Sequence, residues 1–578
     1  MALVDVAHVT WRYTEESEDV LHDVSLAVDE GEFIGIMGAT GAGKTSLAEV
    51  IRGIIPGFHE EGRFSGDVVM GSIDVSKSEA QRTADDIGMV FQDAGSQIVG
   101  TTVLQDATFG PANLGLDRDV VLERARTYLS RVRLAGLEER ASSALSGGQQ
   151  QRLAIAGVLA MEPRVLVLDE PVAELDPVGR RQIAEILTEL RAGGATVILI
   201  EQEPEIVAQF CDRVAIMAQG RIARLGTPAE VFADPAACLD LGVYVPESAI
   251  MEQRLLGELT GGAALTAEEL LARLKVGPAS GLPTVTHPPS GAAAVEQAPI
   301  VIEFNDLSFT YDGRTKVLDR ASARIREGEY VAIVGSNGAG KTTLSKHLNG
   351  LRRPTEGTVS INGRDIAGVD TAQIALEVGY CFQNPDHQIF SRTVVEEVMF
   401  GPQCQGVSDE VARDRATAML ERFGILALAD VNPHSLGKGE RQKVALASIL
   451  VLEPRILVID EPTTGLDWTE CQQILDIIDG FRAAGTTVVA ITHDMRLVRE
   501  RASRVIAMSE GSIIFDGQPT AFFLQPEAMR DSDVEPPALS VIAAGIARQA
   551  GLDPRELPVA LDDLVAHVTR HVSLERIA

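Results

Sequence analysis

The chain has 578 residues, 45 % of them apolar and 23 % charged, an ordinary globular composition with core enough for roughly three to five domains or subdomains. A net charge of −32 spreads negative potential over the surface and disfavours a nucleic-acid partner, whose phosphates it repels. The five scattered cysteines (Cys211, Cys238, Cys381, Cys404, Cys471) include no CxxC pair, so neither a disulfide framework nor a cysteine-rich metal site is expected, and a reducing cytosol suits them. No basic-then-apolar leader opens the chain, and no run approaches the ~18 apolar residues of a membrane span. A role at a membrane therefore needs another chain to cross it.

In chain order, Phe33–Met37 is an apolar run of strand length that enters the loop Gly38-Ala39-Thr40-Gly41-Ala42-Gly43-Lys44-Thr45, and a helix-like segment follows. Strand, GxxxxGKT and helix together make a phosphate-binding loop. Gly38, Gly41 and Gly43 let the backbone turn tightly, so that successive N–H groups face the phosphates, and the helix N-terminus adds a positive dipole end. Lys44 is expected on the β- and γ-phosphates and Thr45 on Mg²⁺, with Ser46 beside them. Val165–Leu168 is a buried strand that runs into Asp169-Glu170. A carboxylate there can hold Mg²⁺ on the phosphates, and Glu170 can polarise the attacking water. Val197–Ile200 is a third such strand. Leu265–Leu274 reads as a helix in a small tail over 241–276, or as a helix packed on the parent domain. Gly277–Pro299, rich in Pro, Gly and Ala, reads as a linker.

The chain then repeats the unit. Tyr330–Val334 enters GSNGAGKT, which gives Gly335, Gly338, Gly340, Lys341, Thr342 and Thr343 the roles above. Ile456–Ile459 runs into Asp460-Glu461, and Val488–Ile491 is the third strand. Phe91-Gln92 recurs as Phe382-Gln383, and Phe109-Gly110-Pro111 as Phe400-Gly401-Pro402. Gln92 to Gln383 and Asp169 to Asp460 are both offset by 291, whereas Lys44 to Lys341 is offset by 297, so the first half carries six extra residues, near Ile54–Gly62. Alternating strands and helices in each half predict an α/β fold, two tandem P-loop ATPase domains with largely parallel sheets. The domains are expected at 1–240 and 300–525, each with a C-terminal tail, 241–276 and 526–578. Leu557–Val568 loosely echoes Leu265–Leu274.

Leu145-Ser146-Gly147-Gly148-Gln149 lies between the first P-loop and the Asp169-Glu170 strand. That LSGGQ resembles the signature of the ABC ATPases, over roughly 1–235 and 300–520. The resemblance implies a helical signature subdomain in each half and head-to-tail pairing, each ATP lying between the P-loop of one unit and the signature of the other. By the same resemblance Tyr13 and Tyr311 stack on adenine. Gln92 and Gln383 contact Mg²⁺ and water and sense the membrane partner. Asp176 and Asp467 are D-loop aspartates, and His493 is the switch histidine on the γ-phosphate.

Two positions depart from that pattern. Gln202 aligns with His493, and Leu436-Gly437-Lys438-Gly439-Glu440 aligns with LSGGQ, so Gly437 replaces the signature serine. Head-to-tail pairing puts both departures at one site, which joins the first P-loop, Glu170 and Gln202 to LGKGE. The other joins the second P-loop, Glu461 and His493 to LSGGQ. Loss of one preorganised donor costs about 2.7–4 kcal/mol, or ~100–1000-fold in rate, so hydrolysis is expected chiefly at the second site. The first is expected to be slow rather than dead, since Lys44 and Glu170 remain.

Phe382–Pro402 reads FQNPDHQIFSRTVVEEVMFGP and Phe91–Pro111 reads FQDAGSQIVGTTVLQDATFGP. The pattern resembles the ATPases of energy-coupling factor (ECF) importers, which take up B vitamins or cobalt and nickel ions. The resemblance implies a membrane coupling protein and a small membrane substrate-binding subunit as partners, with this chain peripheral on the cytoplasmic face of the membrane. Asp386, Glu396, Glu397, Asp93 and Asp106 are expected to meet arginines of that partner. The alternatives are the ATPase of another ABC importer and a soluble ABC ATPase acting on the ribosome. The linker lacks the basic arm expected of the latter, and zinc-binding cysteine pairs of a DNA-repair ABC protein are absent.

Overall fold

The computed structural model describes residues 2–571 and 574–576, apart from 60, 78–82, 84, 174, 258, 260, 278–297, 464 and 559. Most of the expected linker therefore lies outside the described residues. The chain divides into two compact units, Met1–Arg273 and Leu274–Ile577.

The first unit contains two sheets. Strands β1 (Ala2–Arg12), β2 (Leu21–Asp29), β4 (Arg63–Met70) and β5 (Ile73–Asp74) form an antiparallel sheet in the order β2-β1-β4-β5. A second sheet runs β10-β9-β3-β8-β7-β6, from β3 (Phe33–Met37), β6 (Ile87–Val90), β7 (Val165–Asp169), β8 (Thr196–Ile200), β9 (Arg213–Ala218) and β10 (Arg221–Gly226). All its neighbours are parallel except β10 on β9. The sequences follow from this layering. FIGIM, VLVLD and TVILI are buried at every position because both faces of a parallel sheet are covered, whereas β2 alternates because only one face meets the core. Trp11, Val4, Val6 and Leu26 of the antiparallel sheet join Ile34, Ile36, Val167 and Ile198 of the parallel one in a single core, with Leu47 and Ile51 of the helix Lys44–Arg52.

The second unit repeats the plan. Strands β12 (Ile300–Thr310), β13 (Lys316–Arg326), β15 (Glu356–Ile361) and β16 (Arg364–Asp365) give the order β13-β12-β15-β16. Strands β14 (Tyr330–Val334), β17 (Val378–Cys381), β18 (Ile456–Asp460), β19 (Thr487–Ile491), β20 (Arg504–Ser509) and β21 (Ser512–Gly517) give β17-β18-β19-β14-β20-β21. A helical layer, Val394–Cys404, Asp409–Arg422 and Lys438–Leu450, packs through Val398, Ala416, Leu420 and Leu446. Its counterpart in the first unit is Val103–Asn113, Arg118–Arg131 and Gly147–Leu159.

The tails differ in detail from the sequence expectation. In the stretch 265–274 the helix covers only Ala267–Arg273, and Leu274 opens the short strand β11 (Leu274–Val276). In the second unit β11 pairs antiparallel with β22 (Leu574–Arg576). The last helix is Leu561–His571 rather than Leu557–Val568, because Pro558 pushes Leu557 out of helical geometry, to φ −95° and ψ 138°.

Candidate nucleotide site

In each unit four neighbouring parallel strands deliver the candidate residues to one carboxyl edge. In the first unit β3 leads into the glycine loop, β8 into Glu201-Gln202, β7 into Asp169-Glu170 and β6 into Phe91-Gln92. In the second, β14, β19, β18 and β17 do the same for the second loop, Thr492-His493, Asp460-Glu461 and Phe382-Gln383. Ligands of open parallel sheets bind outside such an edge.

The two glycine loops are closed in the same way. Lys44 Nζ donates to the carbonyls of Gly38 and Ala39 at 2.7 and 2.9 Å, and Lys341 Nζ to those of Gly335 and Ser336 at the same distances. These bonds fold each lysine back over its own loop. Gly43 and Gly340 cap the helices with φ of 94° and 98°, and a Cβ on Gly38 or Gly335 would run into the carbonyl of Met217 or Met508. Gly41 and Gly338 also take positive φ, 77° and 86°, but face open space.

Thr45 Oγ1 donates to Asp169 Oδ2 at 2.9 Å, and Thr342 Oγ1 to Asp460 Oδ2 at 2.9 Å. Both aspartates are buried. Burial, assisted by the neighbouring glutamate charge, pushes each carboxyl up to about 6. A buried hydroxyl–carboxylate pair of this kind fits a hard divalent cation with oxygen ligands. The glutamates that follow take left-handed backbone, φ 47° at Glu170 and 54° at Glu461, pinned by N–H bonds of 2.9 Å to Ile200 and Ile491 at the ends of β8 and β19. Non-glycine residues are held in that region only where the surroundings impose it.

The groups around these glutamates differ. Glu461 Oε1 lies 2.9 Å from His493 Nδ1. Glu170 accepts two carboxamides, Gln202 Nε2 on Oε1 and Gln92 Nε2 on Oε2, each at 2.6 Å. Gln383 is exposed and makes no hydrogen bond to Glu461 among the described residues.

The signature segments also diverge. Ser146 caps the helix Gly147–Leu159: its Oγ accepts the Gln149 N–H at 3.4 Å, and Gln149 Oε1 accepts the Ser146 N–H at 3.0 Å. Gly147 is exposed and Gly148 half-buried. In the second unit Gly437 offers no side chain, and only Glu440 reaches back, accepting the Gly437 N–H at 3.1 Å. Here the LGKGE segment sits among ion pairs, Arg441 to Asp386 and Lys443 to Glu470, both at 3.0 Å. Gly439 is buried against the Glu470 carboxylate, and the Lys438 side chain runs past Gly465. Glycines 95 and 179 stand where the first unit would need the two acids. Asp176 and Asp467 cap the helices Pro177–Ala192 and Trp468–Ala483, accepting the N–H groups of Gly179 at 2.7 Å and Glu470 at 2.8 Å.

The tyrosines are placed by their P-loop helices. Tyr13 Oη lies 2.9 Å from Ser46 Oγ, and Tyr311 Oη 3.2 Å from Thr343 Oγ1. Tyr311 is 55 % exposed, with Arg352 over its ring. Tyr13 is half-buried, and His59, in the segment where the extra residues fall, meets its ring edge-on at 5.2 Å.

The expected docking carboxylates need correction. Asp106 is buried and accepts the N–H groups of Val99 and Gly100, both at 2.9 Å. Glu397 does the same for Phe390 and Ser391, at 3.0 and 2.8 Å, and Asp386 is taken by Arg441. The chain turning into each helix leaves N–H groups that an acid in the first turn satisfies. Asp93 caps Gly95, and Glu396 lines a surface hollow with Met399, Gln403, Asp409, Glu410 and Arg413. Exposed rings stand on the same segments, Phe109 in one unit and Phe390 and Phe400 in the other. Glu201 is a further buried acid beside the site, at the 291-offset position where the second unit has Thr492.

Two glycine loops, each facing an Asp-Glu pair at the carboxyl edge of a parallel sheet, define a tandem P-loop nucleoside triphosphatase. Residues 21–173 and 318–464 match the family model described as ABC transporter. A protein of Methanosarcina acetivorans, provisionally named an ABC transporter ATP-binding protein, is 36 % identical over 570 residues, 96 % of this chain and 92 % of that one. YkoD of Bacillus subtilis, provisionally named an HMP/thiamine import ATP-binding protein, is 31 % identical over 530 residues, 90 % and 93 %. A solved structure, cbiO1 from Clostridium perfringens, part of the ABC transporter complex cbiONQ, is 32 % identical over 44 % of this chain and 99 % of that one, with a TM-score of 0.37, too low to build on. The chain belongs to the ABC transporter family. It is an ATP-binding protein and an ATPase with two ABC units in one polypeptide.

Proposed function

We propose that this chain powers an ECF-type importer of a micronutrient, a B vitamin or a cobalt or nickel ion, from the cytoplasmic face of the membrane. The carrying observation is the segment after each Q-loop glutamine, FQNPDHQIFSRTVVEEVMFGP and its partner in the first half, which bears the exposed rings Phe400 and Phe109. The thiamine-import name of a relative that matches nearly the whole chain points the same way. Among the described residues no helix is long and apolar enough to cross a membrane, so the path for the cargo falls to partner chains. Those partners are a membrane coupling protein, docked by apolar contact at Phe109, Phe390 and Phe400 with Glu396 at the rim, and a small membrane substrate-binding subunit that selects the cargo.

Lys44 and Lys341 bind the β- and γ-phosphates, exchanging their carbonyl contacts for phosphate oxygens. Tyr13 and Tyr311 offer a ring to adenine. Thr45, Gln92 and Asp169, and likewise Thr342, Gln383 and Asp460, would hold Mg²⁺, which when bound neutralises charge on the phosphate oxygens. Glu461 orients the attacking water and accepts its proton, and His493, 2.9 Å from Glu461, serves as the switch histidine on the γ-phosphate. Head-to-tail pairing sets the Ser146–Gln149 segment on the second P-loop and the Gly437–Glu440 segment on the first. Closing the halves on ATP and reopening after hydrolysis, chiefly at the second P-loop, moves the docking segments. The test is to tag the chain in its native host, solubilise membranes gently and identify what co-purifies. Two small multi-helix membrane proteins are expected. Ribosomes, or no membrane protein at all, would leave a twin ABC ATPase without the importer role.

A further inference from the structure

The loop leaving β8 holds a carboxyl that the proposed reaction does not use. Glu201 precedes Gln202 and is 2 % exposed. Its Oε1 accepts the backbone N–H groups of Gln202 at 2.8 Å and Glu203 at 3.2 Å, and its buried Oε2 meets no hydrogen-bond partner among the described residues. Arg180 pairs with Glu203 at 3.1 Å and steadies the other side of the loop.

The second unit holds the same loop by different means. Thr492 stands at the Glu201 position, and its Oγ1 accepts one N–H, from Asp494 at 3.0 Å. Asp494 then caps its own helix, accepting from Arg496 and Leu497. Among the described residues the helix Pro204–Phe210 has no side-chain cap hydrogen bond, and its first residue is a proline. In the first unit the backbone around the switch residue is therefore held from inside, by Glu201. Burial, with the charges of Glu170 and Glu203, pushes this carboxyl up to about 8, so it is the neutral acid at neutral pH. A neutral acid accepts both N–H groups without setting a second negative charge beside Glu170.

We propose that Glu201 is a positioning residue for hydrolysis at the first P-loop, fixing the backbone of Gln202 so that its carboxamide stays on Glu170. This rests on Glu170 and Gln202 being the catalytic pair of that site.

The test uses the full chain carrying Glu461→Gln, in which residual ATP turnover reports the first site. In that background Glu201→Ala is expected to lower kcat by roughly 10-fold or more with KM for ATP nearly unchanged, as misplacement does. Glu201→Gln is expected to keep the rate, since its amide oxygen accepts the same N–H groups and it carries no charge. Full kcat in Glu201→Ala, or a Glu201→Gln as slow as Glu201→Ala, would overturn the positioning role. If thermal melting shows that Glu201→Ala unfolds the first unit, Glu201→Thr replaces it and is expected to fold and to lower kcat; unchanged kcat there also counts against the proposal. Adding Glu170→Gln separates the two assignments. Its silence refutes the catalytic pair, whereas loss of turnover with a silent Glu201→Ala refutes only the positioning.

Discussion

His493 Nδ1 lies 2.9 Å from Glu461 Oε1, and at the aligned place in the first unit Gln202 Nε2 lies 2.6 Å from Glu170 Oε1. An imidazole can give and take a proton. A carboxamide hydrogen-bonds but neither takes up nor releases a proton, and Glu170 carries a second one, from Gln92, on its other oxygen. Both oxygens of Glu170 already accept an amide N–H, which leaves less acceptor capacity for a water there and makes the two acids unequal partners for it.

Glu461→Gln is therefore expected to lower ATP turnover by about 100–1000-fold, and Glu170→Gln to leave the total nearly unchanged, when phosphate release is followed. The reverse ranking would falsify the assignment of the faster site.

His493→Gln copies the first unit into the second. It should slow turnover at least ~10-fold with little change in KM for ATP, the pattern of an interaction made in the transition state. A large rise in KM with kcat intact would instead make His493 a binding residue.

Each P-loop lysine is tied to two carbonyls of its own loop. Lys44→Ala and Lys341→Ala should each cut bound nucleotide from two per chain to one, by equilibrium dialysis with a non-hydrolysable ATP analogue. Two nucleotides retained in either variant would mean that its lysine is dispensable for binding.

The loop glycines are not equivalent. A Cβ on Gly43 would stand 2.9 Å from Leu21 Cδ2 and 3.0 Å from the Val20 carbonyl at a φ of 94°, whereas Gly41 meets nothing within 4 Å. Gly43→Ala should cost about 1–3 kcal/mol, and Gly41→Ala about 1 kcal/mol from backbone alone. Urea midpoints without nucleotide compare them, and equal losses would contradict the packing.

Glu201 sets a pH dependence. Its folded-state pKa of about 8 lies above the ordinary 4.5, so the folded protein keeps a proton that the unfolded chain releases. That contribution is full below 4.5 and is lost as pH rises through 8. The stability of the parent relative to Glu201→Gln should fall over this range, read from denaturation midpoints at several pH values. Parallel curves would mean that Glu201 is not held neutral.

What the sequence by itself determined is whatever depends on residues close together in the chain. The glycine loops, the strands running into Asp169-Glu170 and Asp460-Glu461, and the 291-residue repeat are local patterns whose backbone requirements allow few alternatives. The divergence of Gln202 and Gly437 was legible for the same reason, since two copies in one chain expose each mismatch. Only the tertiary structure decided which charged groups are spent internally. Asp106, Glu397 and Glu201 look like surface acids in the sequence, yet all three are buried. Their oxygens answer backbone N–H groups that secondary structure leaves unpaired. His59 against Tyr13 is likewise a meeting of distant segments. Burial sets the charge and reach of such side chains, and it follows from the packing of the whole unit rather than from the neighbouring residues.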